Sequence, residues 1–151
     1  MNAAWTDSPV GPLTVWEEEG AIVRLSWDRR EIGEVTSVIS QALRELDAYF
    51  AGELREFAVP WRAGDTEFQR TFLKALFDIP FGETKTYGEL SGNLGVSAQA
   101  IGQACGANPI PVIVPCHRVL SAQGLGGFSG HGGVETKVEL LKHEGAASLL
   151  I

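Results

Sequence analysis

The sequence predicts an α+β protein, in which a small N-terminal α/β lobe of hairpin, strand and helix precedes a mainly helical C-terminal domain. Three observations predict it. Short apolar runs punctuated by turn residues fill the first 60 positions. From Asp65 onward, helix-start signals and helical apolar spacing take over. With 44% hydrophobic and 21% charged side chains over 151 residues, the chain can bury enough surface for one domain or two small lobes, which excludes disorder.

Val10 to Trp16 and Ala21 to Trp27 are strand-like runs around Glu17-Glu18-Glu19-Gly20, a hairpin signal. Val35, Ile39, Ala42, Leu43, Leu46, Tyr49 and Phe50 follow helical spacing, and Gly52 stands where a C-terminal cap belongs. Phe57, Val59 and Trp61 alternate as a third short strand would, and Arg62-Ala63-Gly64 reads as a link. The expected domains are therefore 1–62 and 63–151. Thr66-Glu67-Phe68-Gln69 and Thr86-Tyr87-Gly88-Glu89 both fit the capping box, in which the threonine and the Gln or Glu satisfy each other's free amides. The first opens a helix with Phe68, Phe72, Leu73, Leu76 and Phe77 on its apolar side, ended by Ile79-Pro80-Phe81-Gly82. The second opens a short helix stopped near Gly92-Asn93-Leu94-Gly95, and Ser97 can cap another from Ala98 to about Gly106. Two short helices around a glycine-bearing turn are the pattern of a helix-turn-helix, although many such hairpins bind nothing. Val134 to Glu144 is a final helix with Gly145 as its cap.

No apolar run approaches the roughly 20 residues of a membrane helix, and Met1 to Asp7 has neither the basic head nor the apolar stretch of a secretory signal. No membrane partner is expected. Cys105 and Cys116 form no CxxC pair and no disulfide framework, so a reducing, cytoplasmic setting is the expectation. The net charge of −7 argues at first against nucleic acid. Its distribution weakens that argument, because residues 1–59 hold 5 basic against 11 acidic side chains and residues 60–151 hold 7 against 8.

Two segments carry candidate chemistry. Three prolines within Asn108-Pro109-Ile110-Pro111-Val112-Ile113-Val114-Pro115 fix the backbone ahead of Cys116-His117-Arg118-Val119. A cysteine in apolar surroundings is often inert core, but rigid support and an adjacent histidine suit a nucleophile. Its ordinary pKa of about 8.5 then has to be overcome by a neighbouring base or positive potential. Adjacent side chains rarely touch, so His117 is expected to act through a water or by polarising the turn. Zinc is the other reading of a Cys–His pair, but no second ligand pair stands at a suitable spacing and no metal or other cofactor is expected. The second segment, Gly124 to Gly133, is either a flexible connector or a pocket wall, with Phe128 stacking on a flat ligand. Glu144 sits at the helix end that disfavours an acid, so it calls for a partner, and a cationic His117 is one candidate. The helix Ala98 to Ala107 carries no charge and almost no bulk. It is either packed tightly against a neighbour or shaped for a minor groove about 6 Å wide.

Pro115-Cys116-His117-Arg118-Val119, with Asn108-Pro109 before it and Leu140-Leu141-Lys142-His143-Glu144-Gly145 after it, resembles the O6-alkylguanine-DNA alkyltransferases. Thr66 to Gln69, Ile79 to Thr84 and Thr86 to Leu90 fit the same family in order, and Ser8 to Leu13 and Tyr49 to Gly52 fit its front lobe. The resemblance implies a ribonuclease-H-like front lobe and a winged-helix-like helix-turn-helix. It implies single-turnover transfer of an alkyl group from O6-alkylguanine in double-stranded DNA, with O4-alkylthymine as a further substrate, after base flipping through the minor groove. By motif match Cys116 is the nucleophile, His117 and Glu144 the proton relay, Tyr87 the donor to the departing base and Asn108 the hinge that braces the site. Phe128, Ser129, Val119 and Gly127 are the expected substrate contacts. Gln99, Ala98, Gly102, Gln103, Arg118 and Thr86 are the expected DNA contacts, and a monomer is expected. Two positions depart from the family pattern. Gln99 stands where an arginine usually enters the duplex, and Phe128 where a tyrosine is common. A non-enzymatic lesion-binding protein and a cysteine hydrolase are the competing readings.

Overall fold

The computed structural model describes residues 1–146 and divides the chain into two compact units, Met1–Ala63 and Gly64–Ile151. In the first, β1 (Asn2–Thr6), β2 (Leu13–Glu18) and β3 (Ala21–Ser26) form an antiparallel sheet in that order. Glu19 and Gly20, at φ 50° and 80°, make the two-residue turn between β2 and β3. Positive φ at both positions gives the backbone twist that joins adjacent antiparallel strands. Leu13 and Val15 of β2 and Ile22 of β3 are fully buried. Helix α1 (Ser37–Phe50), capped by the Thr36 side chain, buries Ile39, Ala42, Leu46 and Tyr49 along one face.

Three details of this unit differ from the sequence reading. β1 was not foreseen, because Asn2-Ala3-Ala4-Trp5-Thr6 has little strand propensity of its own and pairs because β2 offers an edge. β2 starts at Leu13 rather than Val10, since Gly11 takes φ 103° and Pro12 has no N–H to give a ladder. Residues 57–61 make no strand. Only Trp61 bridges Ile22, with the Ile22 amide donating to the Pro60 carbonyl at 2.9 Å.

The second unit opens with α2 (Glu67–Phe77), whose Thr66–Gln69 capping box is fully formed. A two-residue strand β4 (Lys85–Thr86) runs parallel to β5 (Val119–Leu120). It leads into α3 (Tyr87–Leu94), which opens on the Thr86–Glu89 capping box and ends at Gly95 in the left-handed region, φ 69°. The Ser97 hydroxyl accepts from the Ala100 amide and starts α4 (Ala98–Gly106). Helix α5 (Val134–Glu144) closes the unit and stops at Gly145, φ 76°. Among the described residues no helix is long and apolar enough to cross a membrane.

Candidate active site

The proline-rich segment works as the sequence suggests, through tight turns. The Ile113 amide donates to the Pro111 carbonyl at 2.9 Å around Val112, which is held at φ 71°. A β-branched residue there stores roughly 1–3 kcal/mol of strain. Two residues on, the Cys116 amide donates to the Val114 carbonyl at 2.9 Å around Pro115, an inverse γ-turn. Asn108 ties the segment together. Its Nδ2 donates to the Val114 carbonyl at 2.8 Å and its Oδ1 accepts from the Ile110 amide at 3.0 Å. Cys116 is thereby delivered at the start of a 3-10 turn, Cys116–Arg118.

A cavity of about 380 Å³ opens in front of Cys116. Tyr87 from α3, Gly102, Cys105 and Gly106 from α4, and Gly127, Phe128 and Ser129 from the glycine-rich loop complete its walls. Gly126 is required beside it, because at φ 71° a Cβ would lie 2.9 Å from the Tyr87 ring. The Ser129 hydroxyl donates to the Gly106 carbonyl at 3.3 Å, joining the loop to the end of α4.

Behind the cysteine lies a buried polar cluster. His117 Nε2 stands 2.7 Å from Glu144 Oε2. Arg118 donates through Nε to Glu144 Oε1 at 2.8 Å, through Nη2 to Oε2 at 2.9 Å, and through Nη1 to the Ile79 carbonyl at 2.5 Å. Burial alone would raise the Glu144 pKa, but hydrogen bonds from His117 and Arg118 outweigh it and hold the carboxyl well below the usual carboxylate range. Burial lowers the His117 pKa against the opposing pull of Glu144, so the imidazole is neutral near pH 7. A neutral ring facing a carboxylate carries its proton on Nε2, which leaves buried Nδ1, with no partner among the described residues, as the basic lone pair. Burial also pushes the Cys116 thiol up, with hydrogen bonding from Asn108 and the charge of Lys137 pulling the other way. It is a thiol at rest. The Tyr87 hydroxyl is raised by burial and by both nearby cysteines, and stays protonated and able to donate.

These facts revise three expectations. Arg118 is 5% exposed and committed to Glu144 and Ile79, so it is no phosphate contact. The cation paired with Glu144 is this guanidinium rather than a protonated His117. Val119 is fully buried, its carbonyl is taken by Lys137, and it does not line the cavity. Asn108 braces the backbone from outside the cavity. Of the other expected DNA contacts, Ala98, Gln99, Gly102 and Gln103 lie exposed on α4, while Thr86 is partly buried as the α3 cap.

Lys137 escaped the sequence reading. It is fully buried, and its ammonium donates to the carbonyls of Val119 (2.6 Å), Leu125 (2.5 Å) and Gly127 (3.0 Å). Burial brings its pKa down to about 8. The available signal was its position, three residues before Leu140, four before Leu141 and seven before Glu144, on the helix face that packs inward. Among the described residues no group of three or more His, Cys, Asp and Glu side chains is gathered as metal ligands.

Comparison with known proteins agrees with this geometry. Residues 67–146 match the family described as 6-O-methylguanine DNA methyltransferase, DNA binding domain, and residues 1–63 match the ribonuclease-like domain of the same enzyme. The chain is 40% identical to a methylated-DNA–protein-cysteine methyltransferase of Mycobacterium leprae, over 96% of this chain and 94% of that one. It is 42% identical to one of Methanosarcina acetivorans, over 97% and 99%. The crystal structure of Mycobacterium tuberculosis OGT in complex with DNA superposes with a TM-score of 0.83 at 40% identity, covering 95% of this chain and 93% of that one. A cysteine held on a γ-turn, backed by a neutral imidazole and facing a cavity wide enough for a base, thus sits in a chain that belongs to the methylated-DNA–protein-cysteine methyltransferase family.

Proposed function

We propose that Cys116 takes the alkyl group from O6-alkylguanine in double-stranded DNA, once per molecule, while the guanine is held in the cavity out of the base stack. Family membership supplies the reaction class, methyl transfer from methylated DNA to a protein cysteine in DNA repair. The observation that carries the residue assignment is His117 Nε2 at 2.7 Å from Glu144 Oε2 with the buried Nδ1 left over, an arrangement that suits a neutral ring with its proton on Nε2. Through a water, Nδ1 accepts the Cys116 proton as sulfur attacks the alkyl carbon in line and the C–O bond to guanine breaks. The Tyr87 hydroxyl donates to the departing base and offsets the charge building on it. Ser129 exchanges its bond to Gly106 for one to the guanine oxygen, and Phe128 stacks on the base. The product is a thioether, which nothing in the cavity can displace.

The uncharged, thin helix α4 is the element that enters the minor groove, with Ala98, Gln99, Gly102 and Gln103 on its exposed side and Thr86 at the neighbouring helix start. Gln99 fills the space of the flipped nucleotide with a neutral amide that still offers a donor and an acceptor. The protein acts as a cytoplasmic monomer. Intact-protein mass after incubation with methylated-guanine duplex tests the assignment. One added methyl group, mapped to the peptide holding Pro115-Cys116-His117 and lost in Cys116→Ser, is expected. Modification of Cys105 instead, or consumption of lesion by unmodified protein, defeats it.

A further inference from the structure

The sequence holds two cysteines, far apart in the chain's motifs, and both line the same cavity. Cys105 has no part in the reaction described above. It stands in the last turn of α4, four residues after fully buried Ile101, yet it borders the cavity next to the nucleophile. Its neighbours on that wall, Gly102 and Gly106, have no side chains to screen it, and a Cβ built at either would meet open space. Its carbonyl accepts from the Asn108 amide at 3.2 Å, so the end of α4 is fastened to the segment that delivers Cys116. Both cysteines are free thiols.

We propose that Cys105 and Cys116 form a dithiol modification site, which small peroxides convert to a reversible disulfide that takes the nucleophile out of service. This rests on the reading of Cys116 as the alkyl acceptor only for its effect on repair, and not for the chemistry itself. The Cys116 thiolate attacks a peroxide oxygen, an S–O bond forms, the O–O bond breaks and hydroxide leaves. The Cys105 thiol then attacks the sulfenic sulfur, an S–S bond forms, the S–O bond breaks, and the thiol proton goes to the departing hydroxyl, which leaves as water. Two thiols and one hydrogen peroxide give one disulfide and two waters. A dithiol reductant reverses it. The cavity admits a molecule of peroxide size. Burial pushes both thiols up, Cys105 to about 12, and the nearby Lys137 charge opposes that rise at each. Cys105 lies within the electrostatic reach of Cys116, whose charge opposes its ionisation. The gain is that sulfenic acid, otherwise one step from an irreversible sulfinic acid, is captured in a recoverable form.

The test uses the whole protein with hydrogen peroxide and no DNA. The expected result is a monomeric product two hydrogens lighter, both thiols lost to titration, and one linked peptide pair carrying Cys105 and Cys116. Dithiothreitol then restores methyl-acceptor capacity. In Cys105→Ala the same exposure drives Cys116 to sulfinic acid, and capacity recovered by dithiothreitol falls by about tenfold relative to the parent. Cys105→Ser serves as a second variant, and the peptide map of the parent protein needs neither. Sulfinylated Cys116 beside a free Cys105 in the parent, bridges only between molecules, or equal recovery in the variants overturns the proposal. If the bridge forms but methylated DNA does not alkylate Cys116, the dithiol site stands and the repair reading falls. The converse result separates them the other way.

Discussion

Replacing Arg118 by methionine separates a buried clamp from a DNA contact. The side chain keeps most of its length and apolar stem but loses all three donors to Glu144 and Ile79. Glu144 is then a buried carboxylate that has lost its guanidinium, and breaking one side of such a pair costs about 3–5 kcal/mol. For a unit of this size each kcal/mol moves the melting midpoint by roughly 4–8 °C, so a fall of about 20 °C is expected. The sign with pH follows. In the parent protein Glu144 has a folded pKa below its unfolded one, so its contribution is present above about pH 4.3 and fades as pH falls through the lower folded value. In Arg118→Met the folded value rises and that contribution shrinks, so the two proteins converge in stability in acid. Thermal melts between pH 3 and 8 measure this, together with the double variant Arg118→Met/Glu144→Gln, which recovers part of the loss by removing the stranded charge. An Arg118→Met protein with unchanged melting but weaker duplex binding would refute the clamp and return the residue to the DNA surface.

Three further outcomes are expected. In His117→Phe, methyl transfer slows most at neutral pH and recovers as pH passes the free thiol value of about 8.5 and beyond. The parent rate stays flat above about pH 6.5, because the lowered His117 pKa keeps its base form there, and a variant without alkaline recovery rules out the relay. Gln99→Arg tightens binding to lesion-bearing duplex while leaving reaction with free O6-benzylguanine little changed. Gln99→Ala slows duplex repair and spares the free base, and equal effects on both substrates would remove Gln99 from the groove. Lys137→Met strands three carbonyls at about 1–3 kcal/mol each. It should lower the melting midpoint and raise the half-saturating concentration of O6-benzylguanine, since Leu125 and Gly127 belong to the loop that walls the cavity. A stable variant with an unchanged free-base reaction would show that the loop does not need this anchor.

Local chemistry was readable from local sequence. Both capping boxes, the Thr66, Thr86 and Ser97 starts and the Gly95 and Gly145 stops depend on residues within a few positions of one another. The rigid backbone that leads to Cys116 was legible for the same reason, because prolines dictate backbone wherever they stand. What the sequence hid was set by distant partners. Asn2 to Thr6 is a strand only because β2 lies alongside. Arg118 looks like a surface cation until Glu144, 26 residues later, is seen to accept two of its donors. Lys137 looks like an ordinary helix lysine until three loop carbonyls converge on it. Charged residues on a buried face are the places where composition misleads, since burial is tolerated only through partners that spacing does not reveal.

Helix α5 fastens the site at two points, Lys137 to the loop and Glu144 to the turn behind Cys116. Seven residues apart, these anchors stand about 10.5 Å from each other along one helix face. A tilt of the whole helix therefore strains the bond to His117 and the cavity wall together. Exchange of the α5 amides with deuterium and labelling of the Cys116 thiol by a bulky reagent should then report one opening event with one free energy.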